Sequence, residues 1–168
     1  MKHGKNISHL IGHMAYIILY LLLITFSILF YDSANLMILL YLGYIILLSG
    51  IIILLSSVQS RKQAMKNGIS KESLVENGLY AFIRHPEFLG HILIILSLVL
   101  ISQHPFNILI GAILILLLYF AMQEEEERNI EKFGIAYKDY MKRVPRINLL
   151  LGFYRKRRRP DSNRRPPG

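Results

Sequence analysis

An all-α integral membrane protein, with four transmembrane helices and a C-terminal cytoplasmic amphipathic helix, is what this sequence predicts on three observations. Apolar residues make up 53% of its 168 positions. They gather in four stretches almost free of charge, as a bilayer demands of the helices that cross it. All twenty Lys and Arg residues fall in alternate gaps between those stretches or beyond the last one.

The expected spans are about 10–30, 34–58, 88–102 and 107–123. The first, Leu10 to Phe30, is interrupted only by His13 and a few hydroxyl groups. It is too long for a cleaved signal peptide, and no small-x-small cleavage site follows it. The second, Ala34 to Val58, has no ionisable group but Tyr41 and Tyr44. Phe88 to Ser102 and Asn107 to Gln123 are shorter and are expected to continue as polar helix outside the hydrocarbon. Lys2 and Lys5 precede the first span; Arg61, Lys62, Lys66, Lys71 and Arg84 separate the second from the third; thirteen more, Arg128 to Arg165, follow the fourth. Neither Tyr31-Asp32-Ser33 nor Gln103 to Phe106 holds one. Four crossings put every basic residue on one side, which the positive-inside rule makes cytoplasmic, together with both termini.

Residues 1–154 are read as one membrane domain and 155–168 as a basic, disordered tail. The formal charge of +9 follows from this segregation plus Arg155-Lys156-Arg157-Arg158-Arg159, a run suited to anionic lipid headgroups. No nucleic-acid partner is expected. Pro160 to Gly168 is too rich in Pro and Arg to fold. Without cysteine, thiol nucleophiles, thiolate metal sites and disulfides are excluded. Tyrosines apart, the only ionisable groups within the spans are His13 and His91, near their ends, which weighs against a proton-coupled carrier. No internal repeat is apparent.

Polar chemistry gathers instead in two clusters bracketing the third and fourth spans. One is Gly78-Leu79-Tyr80 with Arg84-His85-Pro86-Glu87-Phe88-Leu89-Gly90. The other is Glu124-Glu125-Glu126-Glu127 with Phe133-Gly134, Tyr137, Tyr140 and Val144-Pro145-Arg146. At about 1.5 Å rise per residue, the two apolar arms are each about 24 Å long. A chain that goes out along one arm and back along the other returns both clusters to one level.

Between Gln59 and Glu87 the sequence predicts a loop with turns at Asn67-Gly68 and Asn77-Gly78 and a short surface helix around Lys71 to Val75. Pro86 fits the first position of the third helix, where its missing N–H is not needed. Alone, Arg84-His85-Pro86 also suits a plain helix start with a snorkelling arginine, and four glutamates also suit a solvated helix end. From Glu124 to Lys142, Ile130, Phe133, Tyr137, Tyr140 and Met141 keep helical spacing, with Gly134 as a close-packing point or a bend. The aromatic side of this segment is expected to face the cytoplasmic mouth.

His9 and His13 are four apart, but no third ligand accompanies them, so no metal site is expected. His104 falls on the opposite side from the clusters. His91, one turn inside the third helix, is a candidate for the floor of a pocket.

Taken together, the clusters resemble the isoprenylcysteine carboxyl methyltransferase and phospholipid methyltransferase superfamily. Its pattern is Gly-x-Tyr-x-x-x-Arg-His-Pro-x-Tyr-x-Gly, a transmembrane hairpin, Glu-Glu, then Phe-Gly-x-x-Tyr-x-x-Tyr and Val-Pro-Arg. Gly78, Tyr80, Arg84, His85, Pro86 and Gly90 match in register, as do Phe133, Gly134, Tyr137, Tyr140, Val144, Pro145 and Arg146. The likeness covers residues 75–146. Phe88 stands where the family has Tyr, and no proline follows Arg146 at the customary interval. Counting back from Phe133 selects Glu125 and Glu126 as the acidic pair.

The resemblance implies a membrane enzyme that transfers a methyl group from S-adenosylmethionine at the cytoplasmic face. The acceptor would be lipidic or small, reacting through a carboxylate, amine or thiol. It implies catalytic roles for Arg84, Glu126 and Arg146. It implies cofactor contacts from Tyr80, His85, Phe88, Gly90, Glu125, Glu126 and Tyr137. Residue chemistry agrees: carboxylates suit ribose hydroxyls or an ammonium, guanidinium suits the cofactor's carboxylate, and aromatic faces suit a sulfonium. No Gly-x-Gly-x-x-Gly turn offers a soluble nucleotide fold instead. Two other readings are an NADPH-dependent membrane reductase of the steroid-reductase type and a non-catalytic four-span protein. The reductase type carries Glu where this chain has His91.

Overall fold

The computed structural model describes residues 2–66 and 74–158, with side chains described from residue 12 onward. It is all helical: α1 (Lys2–Leu29), α2 (Met37–Lys66), a 3-10 turn (Gly78–Ala81), α3 (Pro86–Ser102), α4 (Pro105–Phe133), α5 (Ile135–Arg143) and α6 (Leu149–Arg157). Helices α1, α2 and α4 are long and apolar enough to cross a membrane; α3 is apolar but only 17 residues long. It is short because both ends are fixed. Pro86 occupies its first turn, and Gln103 closes it in the left-handed conformation at φ 55°. The expected helix around Lys71 to Val75 falls mostly outside the described residues, as do the Asn67-Gly68 turn, the side chain of His9 and the tail beyond Arg158.

The outer surface is apolar. Ile28, Leu29, Ile38, Tyr41 and Ile45 are all exposed, as helix faces solvated by lipid would be. Inside, Leu23, Ile95, Leu114 and Leu118 form a core shared by α1, α3 and α4. Helix α2 approaches α3 through small residues, since lipid supplies no hydrophobic drive and close backbone contact has to hold the pair. A Cβ on Gly50 would lie 3.0 Å from Leu93 Cβ, and one on Gly90 would lie 3.0 Å from Leu54 Cβ.

At the Gln103 end, the two loops tie together through neutral hydrogen bonds. The Asp32 and Ser33 amides donate to the Ile101 and Ser102 carbonyls at 3.0 and 3.1 Å. The Gln103 side chain bridges the Leu36 amide and carbonyl at 2.9 and 3.1 Å. His104 stacks on Phe30 there, far along the helices from both polar clusters.

At the other end α4 runs on to Phe133. Gly134, at φ 58° with open space where a Cβ would be, then turns the chain into α5. It is a bend and not a packing point. Beyond α5, the Pro145 and Arg146 carbonyls accept from the Arg84 and His85 amides, both at 3.0 Å. This two-bond backbone clasp joins the sequence clusters physically. The basic run expected in a disordered tail begins inside a helix instead: Arg155, Lys156 and Arg157 close α6. Phe82 anchors that helix, with the Phe153 ring at 4.4 Å and Lys156 Nζ at 4.0 Å from its centroid.

Candidate active site

The glutamates leaving the apolar part of α4 meet different environments because a helix turns about 100° per residue. Glu124 and Glu127 are exposed, Glu125 is half-buried and Glu126 is buried. A lone buried carboxylate would be costly, and Glu126 is not alone. Arg84 Nη1 lies 2.9 Å from its Oε1. His85 Nε2 and Arg146 Nε reach the same oxygen, each at 3.2 Å. Arg146 Nη2 closes the pair by donating to Oε2. That hydrogen bond holds the Arg146 guanidinium above even its ordinary pKa. The backbone clasp at Arg84, His85, Pro145 and Arg146 places three cationic or polar groups around one carboxylate.

A second network stands beside it. Arg61 Nε, from the end of α2, donates to the Tyr80 hydroxyl at 2.9 Å; that hydroxyl donates to Glu87 Oε1 at 3.1 Å. Arg61 also pairs with Glu87 at 3.2 Å and reaches Glu125 at 4.0 Å. The Tyr140 hydroxyl fixes the 3-10 turn by donating to the Tyr80 carbonyl at 2.6 Å. Burial pushes the Tyr80, Tyr137 and Tyr140 hydroxyls up from their ordinary pKa, keeping all three protonated.

These networks enclose a cavity of about 370 Å³, bounded by Arg61, Tyr80, Arg84, Glu125, Phe133 and Tyr137 among others. The Arg84 side chain is only 9% exposed. Its Nε has no hydrogen-bond partner among the described residues, and its Nη1, close to Glu126, is out of line for a hydrogen bond. A buried guanidinium with donors to spare is suited to an anionic group entering the cavity.

Of the residues singled out from the sequence, Tyr80, Arg84, Glu125 and Tyr137 line this cavity. Arg146 and Glu126 form its supporting ion pair. His85 is buried behind it, and Phe88 packs edge-on against the His85 ring at 5.5 Å. Gly90 does not line this cavity; it sits in the α2–α3 contact. Sequence reasoning counted Arg61 only as a loop charge. The signal lay in α2, where the buried small residues Gly43, Gly50, Ser57 and Ala64 recur every seventh position. Arg61 falls one turn past Ser57 on that inward face. Among the described residues, no three His, Cys, Asp or Glu cluster as a metal would require.

The phospholipid methyltransferase family model matches residues 38–140, which span α2 to α5 and most of both clusters. Comparisons with curated proteins and with solved structures find no match. Methyltransferases of this family use S-adenosylmethionine, and the reductase reading has no such support. Clasped clusters, apolar helices and a family match over more than half the chain lead to one conclusion: this is a multi-pass membrane methyltransferase belonging to the phospholipid methyltransferase family.

Proposed function

We propose that the protein transfers a methyl group from S-adenosylmethionine to the amine head of a phospholipid at the cytoplasmic face of a membrane. The single observation that carries this is the buried, donor-rich Arg84 facing a 370 Å³ cavity at the helix ends. In this reading residues 1–154 act as one domain. α1 to α4 all cross the bilayer, and the segregation of basic residues sets both termini in the cytoplasm.

The cofactor supplies an electrophilic methyl on a sulfonium sulfur. Arg84, whose guanidinium borders the cavity and is not fully committed to Glu126, would hold the cofactor's carboxylate, and Glu126 holds Arg84, His85 and Arg146 in place as a positioning residue. Tyr137 and Tyr80 offer apolar walls, and Glu125 is placed for ribose hydroxyls or an ammonium. Displacement at a methyl carbon needs alignment and exclusion of water more than acid–base help. An ammonium acceptor must shed a proton first, and Glu126 or His85 would take it, freeing the nitrogen lone pair for the methyl carbon.

The test is calorimetric titration of the detergent-purified protein with S-adenosylmethionine, followed by transfer of labelled methyl to phosphatidylethanolamine in nanodiscs. Wild type should bind saturably, and Arg84→Gln should bind at least tenfold more weakly. Equal affinity in both proteins would remove the assignment. Saturable NADPH binding with none of S-adenosylmethionine would restore the reductase.

A further inference from the structure

A second cavity of about 490 Å³ lies between α1, α3 and α4, within the apolar layer. Its walls divide by height. Glu87, Glu124 and Glu125 form one end, Leu117 and Leu118 the other, and Tyr16 and His91 lie between. No Lys or Arg lines it among the described residues. Glu125 belongs to both cavities. Glu87, on the far side of the Tyr80 hydrogen bond, makes the rest of the partition.

Two polar atoms on residues that line this space are unexplained by the fold. The Tyr16 hydroxyl and His91 Nδ1 are buried with no hydrogen-bond partner among the described residues. Their rings meet edge-on at 6.4 Å, and Tyr20 lies edge-on to His91 at 6.0 Å; no hydrogen bond among the described residues fixes either of these two atoms, so a turn of the ring can bring it to the cavity. A buried polar group left unpaired costs about 1–3 kcal/mol, and apolar residues of similar shape would fill this space without that cost. His91 lies four residues beyond Glu87 on α3, hence one turn deeper on the same face.

We propose that this cavity is the acceptor site and that Tyr16 and His91 recognise the ester linkage of the acceptor lipid. The inference deepens the methyl-transfer reading and rests on it. The acyl chain lies along Leu117 and Leu118, and the polar head reaches the acidic partition. One turn below, the Tyr16 hydroxyl and the Nδ1–H tautomer of His91 donate to ester carbonyl oxygens. Both are specificity-determining residues, remote from the reacting atoms.

Native mass spectrometry of the detergent-purified full chain tests this with palmitoyl-oleoyl phosphatidylethanolamine and its diether analogue, each with and without S-adenosylmethionine. Wild type should retain one ester lipid. Tyr16→Phe and His91→Leu should each hold it roughly tenfold more weakly, the loss of about one hydrogen bond, with cofactor affinity unchanged. The diether lipid, which lacks both carbonyls, should bind wild type more weakly than the ester lipid binds either variant, by roughly a further tenfold. A structural role predicts the opposite sign in melting: lipid-free Tyr16→Phe should be no less stable than wild type, since its oxygen has no partner to lose. Equal lipid retention by all three proteins, no retention by wild type, or a destabilised Tyr16→Phe overturns the proposal. Lipid binding that needs both residues, without any S-adenosylmethionine binding, overturns the acceptor assignment through the reading it rests on.

Discussion

The two ends of the α3–α4 hairpin solve the same problem, closing helix ends beside lipid, with opposite materials. At the Gln103 end the bonds are neutral and short-range in chemistry: amides, carbonyls, a serine and one carboxamide. Every bond there holds the loop, the Asp32 Oδ1 atom is buried outside this bonding, and neither of the two cavities described is lined by it. At the Arg84 end, cations from α2, from the segment between the 3-10 turn and α3, and from the segment after α5 converge on Glu87 and Glu126. Neutral bonds would have closed this end with less desolvation. A charged network with unused donors beside a cavity is what the proposed methyl-transfer site requires, and it is the cavity that sets this end apart from the other.

Breaking the charged end should produce the largest effect. Glu126→Gln leaves Arg84 buried without its counter-charge, and removing one partner of a buried pair costs about 3–5 kcal/mol. Thermal unfolding in detergent should show this, with cofactor binding and methyl transfer lost together. Glu127→Gln, on the exposed side of the same helix, should change stability by less than about 0.5 kcal/mol. If the two variants melt alike, the carboxylate hub is not what holds this end.

Gly90 sharpens the comparison differently. Gly90→Ala would set a Cβ 3.0 Å from Leu54 Cβ and 3.2 Å from the Gly50 carbonyl oxygen. Overpacking of this kind costs about 1–3 kcal/mol. Because Gly90 lies in the α2–α3 contact, the folded fraction should bind S-adenosylmethionine as wild type does. Weaker binding at unchanged stability would return Gly90 to the cofactor site. Tyr140→Phe should cost less, about 1 kcal/mol for its one buried hydrogen bond to the Tyr80 carbonyl. It should also loosen the Tyr80 turn, and hydrogen exchange at Tyr80 and Ala81 would register that.

Legibility in the sequence followed the same division. The apolar runs and their charge-free loops marked the helices, because a bilayer penalises every exception. The clusters were visible because Arg84, His85 and Pro86 are consecutive, as are Val144, Pro145 and Arg146. Their backbone clasp was not visible, since any extended pair of residues makes the same bonds. Arg61 was missed because a charge after a span reads as topology, and only the small-residue face of α2 shows that it turns inward. Which of four glutamates is buried depends on helix rotation, which a run of identical residues hides. Tyr16 was missed because a tyrosine in an apolar helix carries no mark of being unpartnered.

The smallest effect should come from the neutral end, and its sign is specific. Gln103→Ala removes two bonds to Leu36 and leaves an L-residue at φ 55°, so stability should fall by about 1 kcal/mol. Gln103→Gly loses the same bonds but relieves the left-handed backbone by roughly 0.5–1 kcal/mol, which nearly offsets them. The glycine variant should therefore melt close to wild type and above the alanine variant. Neither should alter cofactor affinity or the rate of methyl transfer. A loss of transfer in the glycine variant, at wild-type stability, would mean that this end is coupled to the site through the length of α3. The division between a holding end and a working end would then be wrong.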